Sequence, residues 1–239
     1  MNILIILLVA GAVFGICHVV DKAFSKAFRS KAQHRSGMAV RVSKMYGIMG
    51  IALTILGVLA IVVSEGGLLL LVGGMPLFDS VVHAFGTAGT GGFGIKNDSL
   101  AGYSPYLQNV TTVFMILFGV NFSCYYLLLL RQFKGVFKDE ELRLYFGIIL
   151  AAILLIVLDV RDMYATLEET IRHAAFQVGS IITTTGFSTV DFDLWPSFSK
   201  TILVCLMMVG ACAGSTGGGM KIARLMLIFK SLGRNIRQV

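Results

Sequence analysis

Two short segments carry the residues whose spacing points to chemistry: Thr90-Gly91-Gly92-Phe93 and Thr184-Thr185-Gly186-Phe187. Their chemistry is that of the backbone. Glycine admits conformations that aim carbonyl oxygens at a common axis. Rings of such carbonyls replace the water shell of a monovalent cation. A third segment runs Gly210-Ala211-Cys212-Ala213-Gly214-Ser215-Thr216-Gly217-Gly218-Gly219-Met220-Lys221. Five glycines in its first ten residues oppose a helix, since each costs about 1 kcal/mol relative to alanine. Lys221 resembles a phosphate-loop lysine, but Met220 stands where that motif needs glycine, and no strand precedes it. The segment reads as a non-helical loop able to block a permeation path, with a packing kink as the alternative.

Such backbone needs elements to position it, and the composition says where they lie. Of 239 residues, 56% are hydrophobic and 14% charged, against roughly 25% charged in soluble domains. The mean hydropathy is +0.83. Apolar runs long enough to approach a span, roughly 20 residues, occur at Asn2–Val20, Met45–Val63, Val110–Leu130 and Leu142–Leu158. A fifth begins near Ser199, breaks after Ala211 and resumes over Ile222–Phe229. The stretches Leu77–Ala88 and Leu167–Ile182 are too short or too polar to cross. Each runs into one of the Gly/Thr segments, which suits re-entrant pore helices, because irregular backbone at membrane depth must be buried in protein or line water. The sequence therefore predicts an all-α polytopic membrane protein of K+-channel-like architecture, with membrane–pore–membrane repeats, re-entrant pore helices and filter loops. Residues 1–44 form a helix and basic linker, 45–131 one repeat, and 142–239 a second with a broken final helix. Both repeats carry a His-Ala pair (His83-Ala84, His173-Ala174), then Gly-Phe, an acid (Asp98, Asp191) and a proline (Pro105, Pro196). The two histidines are expected at equivalent positions.

The net charge of +7 is distributed by topology. Lys22, Lys26, Arg29, Lys31, Arg35, Arg41, Lys44, Arg131, Lys134, Lys138, Arg143, Lys221, Arg224, Lys230, Arg234 and Arg237 fall on one side if the spans alternate. Only Lys96, Arg161, Arg172 and Lys200 fall on the other, with most of the acids. The positive-inside rule puts the first set and the C-terminus in the cytoplasm, and juxtamembrane anchoring to lipid explains Lys22–Lys44 without a nucleic-acid partner. Asp98, Asp191 and Asp193 would make the outer vestibule attract cations. Cys17, Cys124, Cys205 and Cys212 form no C-x-x-C pair and read as small hydrophobes. No carboxylate stands at ligand spacing beside His83 or His173, so neither an enzyme nor a resident metal or cofactor is expected.

Residues Gly210–Lys221 resemble the intramembrane gating loop of the third repeat in the Trk/Ktr/HKT potassium transporter superfamily. His83–Phe93 is similar to the pore-helix end and filter of that family's second repeat, Phe176–Thr189 to those of its third, and Gly119-Val-Asn-Phe-Ser to the start of an unwound stretch. The resemblance covers about residues 40–239. It implies four pseudo-symmetric repeats around one pore, a homodimer, K+ uptake across the bacterial inner membrane, and a cytoplasmic nucleotide-binding regulatory subunit. Thr90, Gly91, Gly92, Phe93, Thr184, Thr185, Gly186 and Phe187 would supply two quarters of a K+ filter. Gly210–Gly219 and Lys221 would form the gate. Repeats one and four have no counterpart, so a fragment or a split gene is expected. A non-conducting truncated chain and a secondary transporter of another fold stay open as alternatives, as does a channel against a proton- or sodium-coupled carrier.

Overall fold

The computed structural model describes residues 66–129 and 133–236. The expected spans Asn2–Val20 and Met45–Val63 and the linker 21–44 lie outside the described residues. Every regular element among the described residues is helical: α1 (66–72), α2 (Leu77–Ala88), α3 (Pro105–Phe118), α4 (Phe122–Leu129), α5 (Phe133–Lys138), α6 (Glu140–Val160), α7 (Leu167–Ile182), α8 (Ser197–Met208) and α9 (Ile222–Ile236).

Local chemistry explains most of the boundaries. Pro76 and Pro196 precede α2 and α8, and Pro105 opens α3, where a missing N–H costs nothing. Asp139 caps α6, accepting from the Glu141 and Leu142 amides at 2.8 and 3.1 Å. Thr166 caps α7 through the Glu169 amide at 3.2 Å. Each cap satisfies a helix donor that has no partner within the helix.

One expected span is corrected. The run Val110–Leu130 is not one helix: α3 ends at Phe118, and α4 starts at Phe122. The backbone turns out at Gly119, whose amide carbonyl accepts from Cys212 N at 3.0 Å, while Phe122 N donates to Gly214 O at 3.1 Å. The glycine-rich loop takes over hydrogen bonds that a continuous helix would have made internally. Hydropathy does not register such a break.

The α6 helix, extended through the 3₁₀ turn Arg161–Met163, is the one element among the described residues that is both long and apolar enough to cross a membrane. Tyr145, Ile149, Ala152 and Ile156 are buried on one face, while Leu150, Leu154 and Leu158 are exposed. That exposed stripe suits contact with hydrocarbon. The α7 helix is enclosed by α3, α6 and α8 and buries residues around most of its circumference. Two apolar clusters result. One gathers Tyr145, Ile156, Val178, Ile182, Leu203 and Cys212. The other gathers Leu70, Met75, Leu107 and Met115 with Phe176 and Phe187. The second cluster interlocks the repeats, because two aromatic rings from the α7 unit fill the core beneath α1 and α3.

Candidate functional site

The α2 and α7 helices each end in a turn with the same backbone path. Gly89 N donates to Phe85 O, Thr90 N to Thr87 O, and Gly91 N to Gly86 O; ninety-four residues on, Thr183 N donates to Gly179 O, Thr184 N to Ile181 O, and Thr185 N to Ser180 O. The left-handed residues repeat at the same offset: Thr90 (φ 48°) and Gly92 (φ 64°) match Thr184 (φ 58°) and Gly186 (φ 88°). A threonine with positive φ is uncommon, so its recurrence at matched positions reflects a shared construction.

This register corrects the histidines. At an offset of 94, His83 corresponds to Gln177, and His173 lies one helical turn earlier. His83 is fully buried, its Nδ1 2.8 Å from Asp79 O, and its ring stacks on Phe187 at 5.5 Å between centroids. His173 sits against Thr189 Oγ1 at 3.0 Å, and Gln177 Nε2 donates to Val190 O at 3.0 Å. Of the three, Gln177 alone bonds the backbone that follows a turn; His173 meets a side chain there, and His83 bonds its own helix. No group of three or more metal-ligating side chains occurs among the described residues.

The two turns meet directly. A Cβ on Gly92 would overlap the Thr185 carbonyl oxygen and stand 3.0 Å from its carbon. Ser180 Oγ donates to Phe187 O at 2.6 Å, pinning the second turn from behind. The first differs at its end: Phe93 is 77% exposed, whereas Phe187 is 1% exposed. On the far side of the turns, residues 95–104 and 188–196 lie together, with Leu100 N donating to Ser188 O at 3.0 Å and Ser188 N to Ser99 Oγ at 3.2 Å. Tyr103 donates to Asp79 Oδ2 at 2.8 Å; burial and that carboxylate push the phenol up to about 12.

The non-helical segment 209–221 closes beneath both turns. Its neck is a backbone bridge, with Gly210 N donating to Met220 O at 2.9 Å and Ile222 N to Ala211 O at 3.4 Å. Its tip reaches both threonines: Thr90 Oγ1 donates to Thr216 O at 3.0 Å, and Thr184 Oγ1 accepts from Gly218 N at 2.6 Å. Lys221 Nζ turns back to donate to Gly217 O. Gly210, Ala211, Cys212 and Gly217 are buried. Glycine density suggests a loose segment, but small residues here allow close backbone approach: a Cβ on Gly217 would stand 2.6 Å from Ala211 Cβ.

Glu141 is the site residue that sequence reasoning missed. It is the second residue of α6, is only 8% exposed, and its Oε1 accepts from Ala213 N at 2.6 Å and Ala223 N at 3.1 Å. In sequence it is an ordinary acid in the first turn of a helix that Asp139 already caps. No local signal distinguishes it from Glu140, which pairs with Lys230.

The model of the TrkH family, described as a cation transport protein, matches residues 15–239. The chain belongs to this family. It is 36% identical over 171 residues to the Trk system potassium uptake protein TrkH of Salmonella typhimurium, covering 70% of this chain and 35% of that protein. The TrkH of Escherichia coli K12 is 37% identical over the same shares of the two chains, and the TrkG of that organism is 33% identical over 170 residues. The crystal structure of the potassium transporter TrkH from Vibrio parahaemolyticus is similar, with a TM-score of 0.69 and 27% identity over 86% of this chain and 43% of that one. The chain therefore spans about a third of the length of these curated relatives. It is an all-α membrane protein of a cation-transport family.

Proposed function

We propose that this chain forms two adjoining pore repeats of a potassium uptake transporter in the bacterial cell membrane, with the C-terminus cytoplasmic. Thr90–Phe93 and Thr184–Phe187 contribute carbonyls to the K+ filter, and the Gly210–Gly219 loop, with Lys221 at its end, is the gate. The observation that carries this reading is the pair of matched turns, side by side, with one loop hydrogen-bonded to a threonine of each. Left-handed backbone at alternate residues turns successive carbonyls toward a shared axis, which is what replacing an ion's water shell requires. The C-terminal ends of α2 and α7 add partial negative charge beneath it. A loop bonded to Thr90 and Thr184 occupies the path an ion would take on leaving. The relatives named above are potassium uptake proteins, which favours K+ as the cargo. A homodimer of the complete transporter and a cytoplasmic nucleotide-binding regulatory subunit complete the proposal.

The test is a chimera in which the matched stretch of this chain replaces its counterpart in the Escherichia coli relative. In cells lacking other K+ uptake it should restore growth at low K+. Deleting Ser215–Gly217 should raise K+ flux and weaken control by the cytoplasmic partner. A deletion variant that assembles normally and transports at the parent rate, with regulation intact, removes the gate.

A further inference from the structure

We infer that Glu141 is a positioning residue whose carboxylate latches the glycine-rich loop shut from behind. The inference rests on reading that loop as the gate and names what holds it. Glu141 Oε1 takes two backbone donors ten positions apart, Ala213 N and Ala223 N, and these bracket the residues that touch the threonines. One oxygen thus ties both limbs of the loop's neck to the start of α6. Ala223 lies in the first turn of α9, whose free amides and dipole favour a carboxylate. The backbone bridge between Val209 and Met220 closes the neck on itself, but Glu141 anchors it to the membrane-spanning helix. Phe122 N, donating to Gly214 O at 3.1 Å, holds the next residue. Cys212, fully buried in the neck, is a built-in reporter of whether the latch is fastened.

The experiment uses the full chain in membranes, treated with N-ethylmaleimide, with labelling read separately at each cysteine peptide by mass spectrometry. Exposed Cys205 is the reference, and buried Cys124 reports on packing at the start of α6. Glu141→Asp keeps the charge but draws the oxygen back by about 1.5 Å, beyond hydrogen-bond reach. Glu141→Gln keeps the reach and the acceptor but drops the charge. The expected result is Cys212 labelling roughly tenfold faster in Glu141→Asp, as loss of a charge-assisted bond implies, and about threefold faster in Glu141→Gln, whose neutral amide oxygen keeps a bond of roughly half that strength. Parent-like labelling in Glu141→Asp overturns the latch. So does equal acceleration in the two variants, because Glu141→Gln keeps the reach that Glu141→Asp loses and reach would then not be what fastens the loop, or equal acceleration at Cys124, which would report unfolding. The gate reading is separated by K+ flux in the chimera: faster Cys212 labelling with unchanged flux and regulation leaves the latch standing and removes the gate.

Discussion

Gly92 and Gly186 occupy matched positions, yet the structure predicts unequal consequences for adding one methyl group. Gly186 (φ 88°) has no heavy atom within 4 Å of a built Cβ. Gly186→Ala therefore meets only the backbone penalty, about 1–3 kcal/mol. Gly92→Ala carries a similar penalty at φ 64° and also drives its Cβ into the Thr185 carbonyl, 3.0 Å from the carbon. Ordinary carbon–carbon separation is about 3.5–4.0 Å, so the turns must part or the Thr185 carbonyl must rotate off its axis. Overpacking of that kind adds about 1–3 kcal/mol. At about 1.4 kcal/mol per factor of ten, the extra strain should depopulate the parent filter conformation about tenfold further in Gly92→Ala than in Gly186→Ala, and the K+/Na+ permeability ratio should fall more in Gly92→Ala. Gly179→Ala, whose nearest contact is Ile116 Cγ1 at an ordinary 3.4 Å, should leave selectivity unchanged. The assay is flux through the chimera in proteoliposomes under opposed K+ and Na+ gradients, on protein first shown to be monodisperse. A Gly186→Ala effect equal to or larger than that of Gly92→Ala would refute the claim that the two turns are in direct register. Loss of selectivity in Gly179→Ala would show general loosening rather than filter chemistry.

Two further outcomes follow from the packing and the charge distribution. A Cβ on Gly119 would overlap the Tyr145 hydroxyl and stand 2.9 Å from Cζ, so Gly119→Ala should destabilise the chimera by about 2–3 kcal/mol. Adding Tyr145→Phe should recover part of that loss, although Phe alone forfeits the 2.9 Å bond to Ile116 O; thermal unfolding in detergent would check both, and a neutral Gly119→Ala would contradict the contact. For orientation, Asn97→Cys should label from outside intact cells and Ser231→Cys only after permeabilisation, with the reverse pattern overturning a cytoplasmic C-terminus.

What the sequence determined by itself is local. The pore-helix limits Leu77–Ala88 and Leu167–Ile182 were legible because Pro76, Thr166 and the Gly/Thr runs act on their immediate neighbours. The long α6 span was legible because hydropathy sums over adjacent residues. The 94-residue spacing of Gly92 and Gly186 also stood in the sequence, but the histidines suggested a competing alignment, which only the matched left-handed residues and turn hydrogen bonds resolved. The break at Gly119 was foreshadowed by the resemblance of Gly119-Val-Asn-Phe-Ser to an unwound stretch, but tertiary structure decided where its hydrogen bonds go, since the partners of that backbone are Cys212 and Gly214, more than ninety residues away. It decided that the glycine-rich loop is tied down rather than loose, because its partners are hydroxyls on two other turns. It also assigned Glu141, because a carboxylate's role depends on which amides face it, and those amides belong to segments 72 and 82 positions further along the chain.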